Sequence, residues 1–478
     1  MKKTLYNSLL AFAAVFSVNI FSSCEKGLEE DNFSQLSTDE FLKTESGIKA
    51  VSISAYSNAQ FVAFPMNVKV NLGELSTDIM YQAGGGVAGA AAQIYNFAWE
   101  STNEWFNLQT WNKCYRAIRD ANVILENIDA VPMAATQKST YKGEARFLRA
   151  FSYYLLNDWY GPVPLSTSSA PASAKIVRPS SDDMNSFLEK EFTESAALLP
   201  LTQADYGRAT KGAALGFLVK FYLNTRQWQK SASVAQQVID LGIYDLFPDY
   251  VNMFKVENEK NKEFIFVSPA VNIAGQGNQW MAVAFPATYP RLSNQASFAS
   301  NYKLYDDFVN SFAANDTRRG SILTTYKATN GSTVTLIGKN DSRSFKYFPD
   351  PNSLAADAGN DIPELRFADI LLSRAESLNE LNGPTQEILD LVNRVRSRAG
   401  ISSHTLGSFT KETLRDSILQ ERRREFFTEG FRRQDLLRHN RFISNAVARG
   451  KNAKPFHVLY PIPQPEIDVS KIQQNEGY

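Results

Sequence analysis

Apolar residues recur every three or four positions along several stretches of the chain. One stretch covers residues 111–128 and is followed by Pro132, and a second covers residues 143–160 and ends at Gly161. This spacing is typical of helices that bury one or more faces. Because the connection between the two stretches is short, they are predicted to form an antiparallel helix pair.

The same pattern recurs further along the chain. Residues 209–224 and 228–241 form a second pair of predicted helices, residues 363–381 and 386–399 form a third, and residues 411–438 form one long helix. Stacked helix pairs resemble tetratricopeptide units, although no strict repeat of about 34 residues is present. The pattern therefore predicts a mainly α fold built from tetratricopeptide-like helical hairpins.

Long stretches without helical spacing separate these pairs. Residues 76–107 include a glycine cluster at 84–89 that is expected to be a mobile loop, and residues 270–295 combine glycine, proline and aromatic residues. Residues 332–337 and 344–348 alternate between apolar and polar positions, which predicts a small β-hairpin. Long loops in a compact domain usually carry function, so these insertions are the first places to look for a binding site.

The amino terminus has the pattern of an export signal. Two lysines precede an apolar segment at residues 9–21 that is too short to span a bilayer. Small residues then precede Cys24, an arrangement that resembles a bacterial lipobox, in which the cysteine is lipidated and becomes the mature amino terminus. A plain secretory signal with an incidental cysteine is the alternative. The polar segment behind Cys24 is expected to be a flexible tether.

The chain is thus expected to divide into three parts. They are a lipoprotein signal peptide (1–23), a lipidated tether (24–37) and a body (38–478), the last with an amino-terminal helical-hairpin half (38–240) and a carboxy-terminal half (241–478). No later apolar stretch is long enough to span a bilayer, so the lipid is the predicted anchor.

Composition narrows the range of functions. The 50 Lys+Arg residues balance the 50 Asp+Glu residues, so the chain lacks the positive charge that nucleic-acid binding requires. With only 3 His and 2 Cys, a histidine metal site, a Ser-His-Asp triad and a disulfide framework are all disfavoured. Cys114 lies beside the apolar stripe of residues 111–128, so it is expected to be a buried, unreactive thiol.

Two groups of acidic residues are candidates for chemistry. Glu421, Glu425 and Glu429 could supply the carboxylate pair of a glycoside hydrolase, but several arginines between residues 422 and 433 favour a structural ion-pair network instead. The acidic residues of segment 350–361 could hold Ca²⁺ through their oxygens. They lack the spacing of an EF-hand, so a solvated loop is favoured, and no other cofactor or metal is expected.

Aromatic residues in the irregular stretches indicate a binding surface. Tyr81, Trp99, Trp105, Trp280 and Tyr289 lie outside the helical stripes, where a ring has less reason to be buried. Flat rings of this kind can form a platform for sugar rings, because they bury the apolar faces of a saccharide. The alternative is that each tryptophan simply closes a loop onto the core.

Several blocks of the sequence resemble the SusD/RagB family of Bacteroidetes outer-membrane nutrient-binding lipoproteins. In chain order they are residues 111–122, 143–165, 365–376, 392–400, 421–436 and 460–478. The acidic segment behind Cys24 also resembles the surface-export signal of lipoproteins from these bacteria. Two departures are visible near the end of the chain: Asp468-Val469-Ser470 replaces a frequent Asn-Pro step, and Glu476 replaces a frequent proline.

The resemblance implies a non-enzymatic lipoprotein on the cell surface of a Gram-negative bacterium, attached to the outer membrane by its lipid alone. Such a protein captures an oligosaccharide or polysaccharide and delivers it to a SusC-like TonB-dependent transporter. Peptide binding of the RagB type is the alternative within the family, and a glycoside hydrolase is the alternative from another class. Position within the variable insertions, together with the aromatic argument, makes the ligand-binding candidates Asp78, Tyr81, Trp99, Asn103, Trp105, Trp280 and Tyr289.

Overall fold

The structure, a computed structural model, describes residues 38–60, 68–170, 176–298 and 302–478. The predicted signal peptide, the lipidation site at Cys24 and the tether lie outside these residues. Within the described ranges, no helix is both long and apolar enough to cross a lipid bilayer.

Helices dominate the amino-terminal half. They are α1 (Thr38–Leu42), α2 (Glu45–Ala59), α3 (Val68–Glu74), α4 (Ala88–Asn96), α5 (Glu104–Phe106), α6 (Asn112–Asn127), α7 (Ala135–Tyr160), α8 (Ser181–Leu198), α9 (Lys211–Asn224) and α10 (Trp228–Asp240). Apolar spacing did not predict α2 and α8, yet both begin at a side-chain cap. Thr44 accepts the N–H of Gly47, and Ser180 accepts the N–H of Asp183.

The carboxy-terminal half mixes helices with short strands. Its helices are α11 (Trp280–Ala284), α12 (Asp306–Asn310), α13 (Phe367–Asn382), α14 (Gln386–Arg398), α15 (Lys411–Glu425), α16 (Arg432–Arg438), α17 (Phe442–Ala448) and α18 (Gln464–Ser470). Strand β1 (Met80–Gln82) lies in the amino-terminal half. The carboxy-terminal half contains β2 (Phe264–Ser268), β3 (Tyr302–Leu304), β4 (Ile322–Leu323), β5 (Thr325–Lys327), β6 (Thr333–Thr335), β7 (Arg343–Ser344) and β8 (Ile362–Arg366). The strands pair two by two, as β1 with β3, β2 with β8, β4 with β7 and β5 with β6.

The helices stack largely in chain order. Helix α2 packs on α6, α6 on α7, α7 on α8, α8 on α9, α9 on α10, α10 on α13, and α13 on both α14 and α15. Only residues 225–227 separate α9 from α10, so these two helices run antiparallel. The predicted mainly α fold of stacked helical hairpins is confirmed.

One hydrophobic core continues from the amino-terminal half into the carboxy-terminal half. The ring of Phe266 on β2 lies 4.9 Å from the ring of Phe147 on α7, and Phe151 lies 4.9 Å from Phe217 on α9. Cys114 is fully buried in the same core, and burial raises the pKa of its thiol. The predicted burial of this cysteine is therefore confirmed, and the raised pKa agrees with the expected unreactive thiol.

The helix predicted for residues 363–381 is wrong at its start. Residues Ile362–Arg366 form β8, which pairs antiparallel with β2, and Arg366 has the extended dihedrals φ −123° and ψ 156°. All five residues of β8 are buried, so the run shows no polar and apolar alternation that could distinguish a strand from a helix.

The long helix predicted for residues 411–438 is wrong in its middle. The chain turns between α15 and α16, where Thr428 and Gly430 adopt positive φ values of 64° and 79°. The carboxylate of Glu74, at the end of α3, accepts the N–H groups of Thr428, Glu429 and Gly430 at 2.8, 3.0 and 2.7 Å. A buried acceptor from a distant helix therefore breaks a segment whose local sequence favours helix.

The predicted hairpin between residues 332–337 and 344–348 is also wrong. Strand β6 turns back onto β5, with Val334 opposite Tyr326, and β7 pairs instead with β4. The turn between β5 and β6 is closed by the N–H of Ala328, which donates to the carbonyl of Ser332 at 2.9 Å. The small hairpin exists, but it lies one strand earlier in the chain.

Candidate functional site

The three tryptophans proposed as a platform are buried. The exposed fractions of Trp99, Trp105 and Trp280 are 6%, 0% and 1%. The indole N–H of Trp99 donates to the carbonyl of Ile94 at 3.1 Å, and that of Trp280 to the carbonyl of Ser344 at 2.9 Å. A loop tryptophan gains free energy by burying its ring where a backbone carbonyl satisfies its N–H. The expectation of exposed rings is therefore wrong for these three.

Asn103 is buried and caps a short helix. Its Oδ1 accepts the N–H of Trp105 at 3.0 Å, while its Nδ2 donates to the carbonyl of Ala90 at 3.1 Å and to Oε1 of Gln93 at 2.9 Å. Both ends of the amide are engaged inside the protein. The expectation that this amide is free to bind a ligand is wrong, since the residue ties the start of α5 to α4.

Asp78 is buried in an ion-pair cluster just before β1. Nε and Nη2 of Arg432 donate to its two oxygens at 2.7 and 2.9 Å, and Nε of Arg423 lies 3.2 Å from Oδ2. Burial favours the neutral acid, but Arg432 and Arg423 outweigh it, so the pKa of Asp78 lies well below its usual range. The expectation that Asp78 presents free oxygens to a ligand is wrong.

Tyr81, by contrast, reaches the surface. Met80 and Gln82 are buried, whereas Tyr81 between them is half-buried, because successive residues of a strand point to opposite faces. Strand β1 pairs with β3, where Lys303 lies opposite Tyr81. The pairing places the chain that follows β3 beside the ring of Tyr81.

Two further tyrosines meet Tyr81 there. The ring of Tyr305 stacks on it, with ring centres 5.2 Å apart and planes at 25°, and the ring of Tyr95 from α4 meets it at 6.2 Å and 72°. Tyr305 is fixed by its N–H, which donates to the carbonyl of Ile79 at 3.0 Å. All three rings are half-buried. We call Tyr81, Tyr95 and Tyr305 the tyrosine cluster.

Polar groups surround the tyrosine cluster. The hydroxyl of Tyr81 donates to the carbonyl of Asn340 at 2.9 Å. The side chain of Asn340 accepts the backbone N–H of Asp306 at 2.7 Å, and the side chain of Asp306 accepts the backbone N–H of Asn340 at 2.8 Å. Asp341 pairs with Lys303 at 2.7 Å. The rim of the cluster thus offers hydroxyl, amide, carboxylate and ammonium groups.

The glycine-rich segment follows directly after β1, the strand that carries Tyr81. Gly84 and Gly85 adopt φ values of 102° and 72° in an exposed turn. Nε2 of Gln82 donates to the carbonyl of Gly84 at 2.6 Å and so ties the turn to β1. The predicted loop is shorter than expected, because Gly89 already belongs to α4.

Tyr289 belongs to a separate aromatic group. Its ring lies 5.3 Å from that of Phe285, 5.6 Å from that of Tyr326 and 5.9 Å from that of Phe345. The side chain is half-buried, so one part of the ring remains open to solvent.

The carboxylates at the end of α15 form ion pairs. The oxygens of Glu425 accept hydrogen bonds from Arg318, Arg366 and Arg398 at 3.1, 3.0 and 2.5 Å, and all four side chains are buried. The carboxylates one turn before and one turn after it are paired with arginine or lysine as well. The predicted structural ion-pair network is confirmed.

The acidic segment 350–361 binds backbone rather than solvent. The carboxylate of Asp350 accepts the N–H groups of Asn352 and Gly359 at 2.8 and 2.9 Å, and that of Asp357 accepts the N–H of Gly275 at 3.2 Å. Both carboxylates are buried, so the expectation of a solvated loop is wrong. Over the ranges that the structure covers, no group of three or more His, Cys, Asp or Glu residues is arranged to hold a metal ion.

A cleft of about 420 Å³ lies away from the tyrosine cluster. Its lining includes Tyr56, Gln60, Tyr206 and Arg208.

Two sequence profiles match the chain. One, described as "SusD family", matches residues 352–478, and the other, described as "Starch-binding associating with outer membrane", matches residues 28–223. The first match lies in the carboxy-terminal half of the body, and the second begins in the predicted tether and continues through most of the amino-terminal half.

Curated relatives resemble the chain over most of its length. A SusD-like protein of Formosa agariphila is 25% identical, in an alignment that covers 97% of this chain and 98% of the relative. The starch-binding protein SusD of Bacteroides thetaiotaomicron is 23% identical over 76% of each chain.

Solved structures share the fold. A laminarin-binding SusD-like protein superimposes with a TM-score of 0.80 at 25% identity, covering 91% of this chain and 100% of that chain. The surface glycan-binding protein A of Bacteroides thetaiotaomicron, in complex with laminarihexaose, superimposes with a TM-score of 0.77 at 21% identity, covering 90% and 99%.

Proposed function

We propose that this chain, which belongs to the SusD/RagB family, binds an oligosaccharide or polysaccharide at the cell surface and delivers it to a SusC-like TonB-dependent transporter. The observation that carries the binding proposal is the tyrosine cluster, a group of partly exposed rings inside a polar rim. The relatives named for laminarin, laminarihexaose and starch support a glycan as the ligand class.

The geometry of the tyrosine cluster suits a sugar. A saccharide has apolar C–H faces between its hydroxyl groups, and a phenol ring buries such a face while its hydroxyl stays able to hydrogen-bond. Tyr95 and Tyr81 meet at a steep angle, so they offer a sugar two differently oriented surfaces. Asn340 and Asp341 at the rim supply hydrogen-bond donors and acceptors, which can select a sugar by the positions of its hydroxyl groups.

The buried candidates have supporting roles in this proposal. Asn103 binds α4, which carries Tyr95, and Asp78 lies two residues before β1, which carries Tyr81. Trp99 donates to the carbonyl of Ile94, also on α4. These residues therefore help to position the tyrosine cluster. Tyr289, which is half-buried, remains a candidate ligand contact on a separate aromatic group.

Loss of one ring should weaken binding without unfolding the protein. Tyr81→Ala is expected to reduce the affinity for a bound glycan about tenfold, the effect of losing a contact aromatic worth roughly 1–3 kcal/mol. Tyr81→Phe keeps the ring and should bind nearly as well as wild type. Calorimetric titration, with thermal melts alongside, measures both. Equal affinity of the Ala variant and wild type would place the ligand elsewhere.

We further propose that the protein binds its glycan without cleaving it. The carboxylate pair that a glycoside hydrolase would use is locked in the arginine network around Glu425, where both oxygens accept hydrogen bonds from guanidinium groups. Neither oxygen is then free to protonate a leaving group or to attack a sugar.

Attachment to the membrane is proposed to rest on the lipid at Cys24. Cys24→Ala should move the protein from the outer-membrane fraction to the soluble fraction, and mild detergent should extract the wild type together with a TonB-dependent barrel. Immunoblots of the fractions and mass spectrometry of the extract test the two parts. A variant that still sediments with outer membrane would contradict the lipid anchor, and a wild type recovered alone, beside an expressed barrel, would contradict the transporter partnership.

A further inference from the structure

Two cationic side chains flank the tyrosine cluster. Nζ of Lys451 lies 4.9 Å from the ring centre of Tyr95, and the guanidinium carbon of Arg449 lies 5.7 Å from the ring centre of Tyr305. Both residues belong to the turn that follows α17. Both groups lie over rings of the cluster, so a ligand at the tyrosine cluster would meet one cation at Tyr95 and another at Tyr305.

Lys451 has no acidic partner. Its Nζ donates to Oδ1 of Asn96 at 3.1 Å, and in the part of the chain that the structure describes no ion pair joins it to a carboxylate. An ammonium group has three N–H donors, so two are left for a ligand. Partial burial, and then the charge of Arg449, lower the pKa of Lys451, in agreement with the lack of a paired carboxylate.

The surrounding ion pairs leave a positive excess on this side. Arg423 and Arg432 share Asp78, and Arg423 also pairs with Asp307. Arg449 donates to the carbonyl of Ser76 and to Oδ1 of Asn445, which are both uncharged. With Lys451 included, four cations therefore face two carboxylates, a net excess of two positive charges.

The opposite side of the tyrosine cluster is balanced. Lys303 and Arg343 both pair with Asp341, at 2.7 and 2.9 Å, and Asp306 lies beside them on the rim. Two cations and two carboxylates cancel there. The unbalanced charge is therefore confined to the Lys451 side.

We propose that the glycan bound at the tyrosine cluster is acidic, and that Lys451 contacts a carboxylate or sulfate group of the sugar bound beside Tyr95. This inference rests on the proposed glycan-binding function of the same cluster. Nζ of Lys451 lies over the ring of Tyr95, so an acidic substituent on a sugar bound beside this ring would come within reach of the ammonium group. A half-buried ammonium without a counter-charge is costly, and an acidic ligand would remove that cost.

Matched pairs of glycans test this inference. Detergent-solubilised full-length protein is run in affinity gels that contain an acidic glycan or its counterpart without the acidic group. Alginate and polygalacturonate are each compared with their carboxyl-reduced forms. Chondroitin sulfate is compared with its desulfated form. We expect at least one acidic glycan to bind about tenfold more tightly than its counterpart without the acidic group. Comparison of the carboxyl-reduced pairs with the desulfated pair shows whether the protein prefers a carboxylate or a sulfate.

Lysine variants locate the effect. Lys451→Gln should lose about tenfold in affinity for the acidic glycan and little for the uncharged one, whereas Lys451→Arg should keep the preference. Lys190→Gln, at a side chain that is 66% exposed on α8, is the matched control and should bind as wild type does. Thermal melts confirm that each variant is folded.

The possible failures are distinguishable. If uncharged glycans bind as tightly as acidic ones and this binding depends on Tyr81, the inference of an acidic ligand is contradicted, whereas the proposed glycan binding is supported. The inference also falls if Lys451→Gln keeps the full preference. If neither acidic nor uncharged glycans bind, the proposed function falls together with it.

Discussion

Replacing Glu425 with glutamine should lower the free energy of unfolding by about 3–5 kcal/mol. The carboxylate lies between Arg318, Arg366 and Arg398, with all four side chains buried. Glutamine is nearly the same size but has no charge, so the three guanidinium groups lose one counter-charge in a site that water cannot reach. Thermal or urea unfolding followed by circular dichroism measures the loss.

Glu387→Gln is the matched control for this effect. Glu387 also pairs with an arginine, Arg374, but its side chain is 55% exposed. Exposed pairs contribute roughly 0–1 kcal/mol, so the control should unfold close to wild type. Equal stability of Glu425→Gln and wild type would contradict the structural role, and a hydrolytic activity lost in that folded variant would point to an enzyme instead.

Lowering the pH should reproduce part of the stability loss that Glu425→Gln causes. Burial favours the neutral form of Glu425, but Arg398, Arg366 and Arg318 outweigh it, so its pKa in the folded state lies well below the usual range. A carboxyl with a lowered pKa stabilises the fold above its unfolded-state pKa of about 4, and this contribution is lost as the pH falls. The stability difference between wild type and Glu425→Gln should therefore shrink below about pH 4.

Trp280→Ala should destabilise the protein by about 3–5 kcal/mol, because it leaves a cavity in a packed core. The ring is 1% exposed, lies 5.3 Å from the ring of Tyr302, and donates its N–H to the carbonyl of Ser344. The substitution also leaves that buried carbonyl without its donor. Unfolding experiments of the kind used for Glu425 measure the effect.

Trp228→Ala provides the comparison. Trp228 begins α10 and is only partly buried, so its removal should cost clearly less than removal of Trp280. A Trp280→Ala protein that melts like wild type but no longer binds glycan would contradict the core assignment. Such a result would instead support the original prediction that Trp280 contacts the ligand.

Helix pairing was predictable because its signal is local. The apolar spacing of residues 111–128 and 209–224 marks buried helix faces, and the short connections dictate which helices are neighbours. The strand Ile362–Arg366 was not predictable in this way, since five consecutive buried residues carry no period. Its partner strand β2 lies far away in the sequence.

The break in segment 411–438 illustrates the same limit. Gly430 is a local sign of a turn, but the acceptor that holds the turn is Glu74, which no local pattern connects to it. Gly73 and Gly430 lie so close that a Cβ on Gly73 would be 2.1 Å from the carbonyl oxygen of Gly430. The two glycines are therefore required by tertiary contact and not by helix propensity.

The candidate site was predicted only in part. Tyr81 was identified because it stands in an irregular stretch, and the same reasoning selected tryptophans that the structure buries. Tyr95 and Tyr305 were missed. Tyr95 lies in the same predicted irregular stretch as Tyr81, where no local feature shows that the two rings meet, and Tyr305 becomes a neighbour of Tyr81 only through the pairing of β1 with β3. Exposure and long-range pairing are properties that composition and spacing do not encode.

The most direct test of glycan binding is the recovery of an intact glycan from the purified protein. Detergent-solubilised full-length protein is incubated with a labelled panel of neutral and acidic oligosaccharides, and the retained material is eluted and sized by chromatography. We expect at least one glycan to be retained by wild type, to be retained more weakly by Tyr81→Ala, and to elute at its original length. Shortened products, or retention of peptides with no glycan retained, would contradict the proposal.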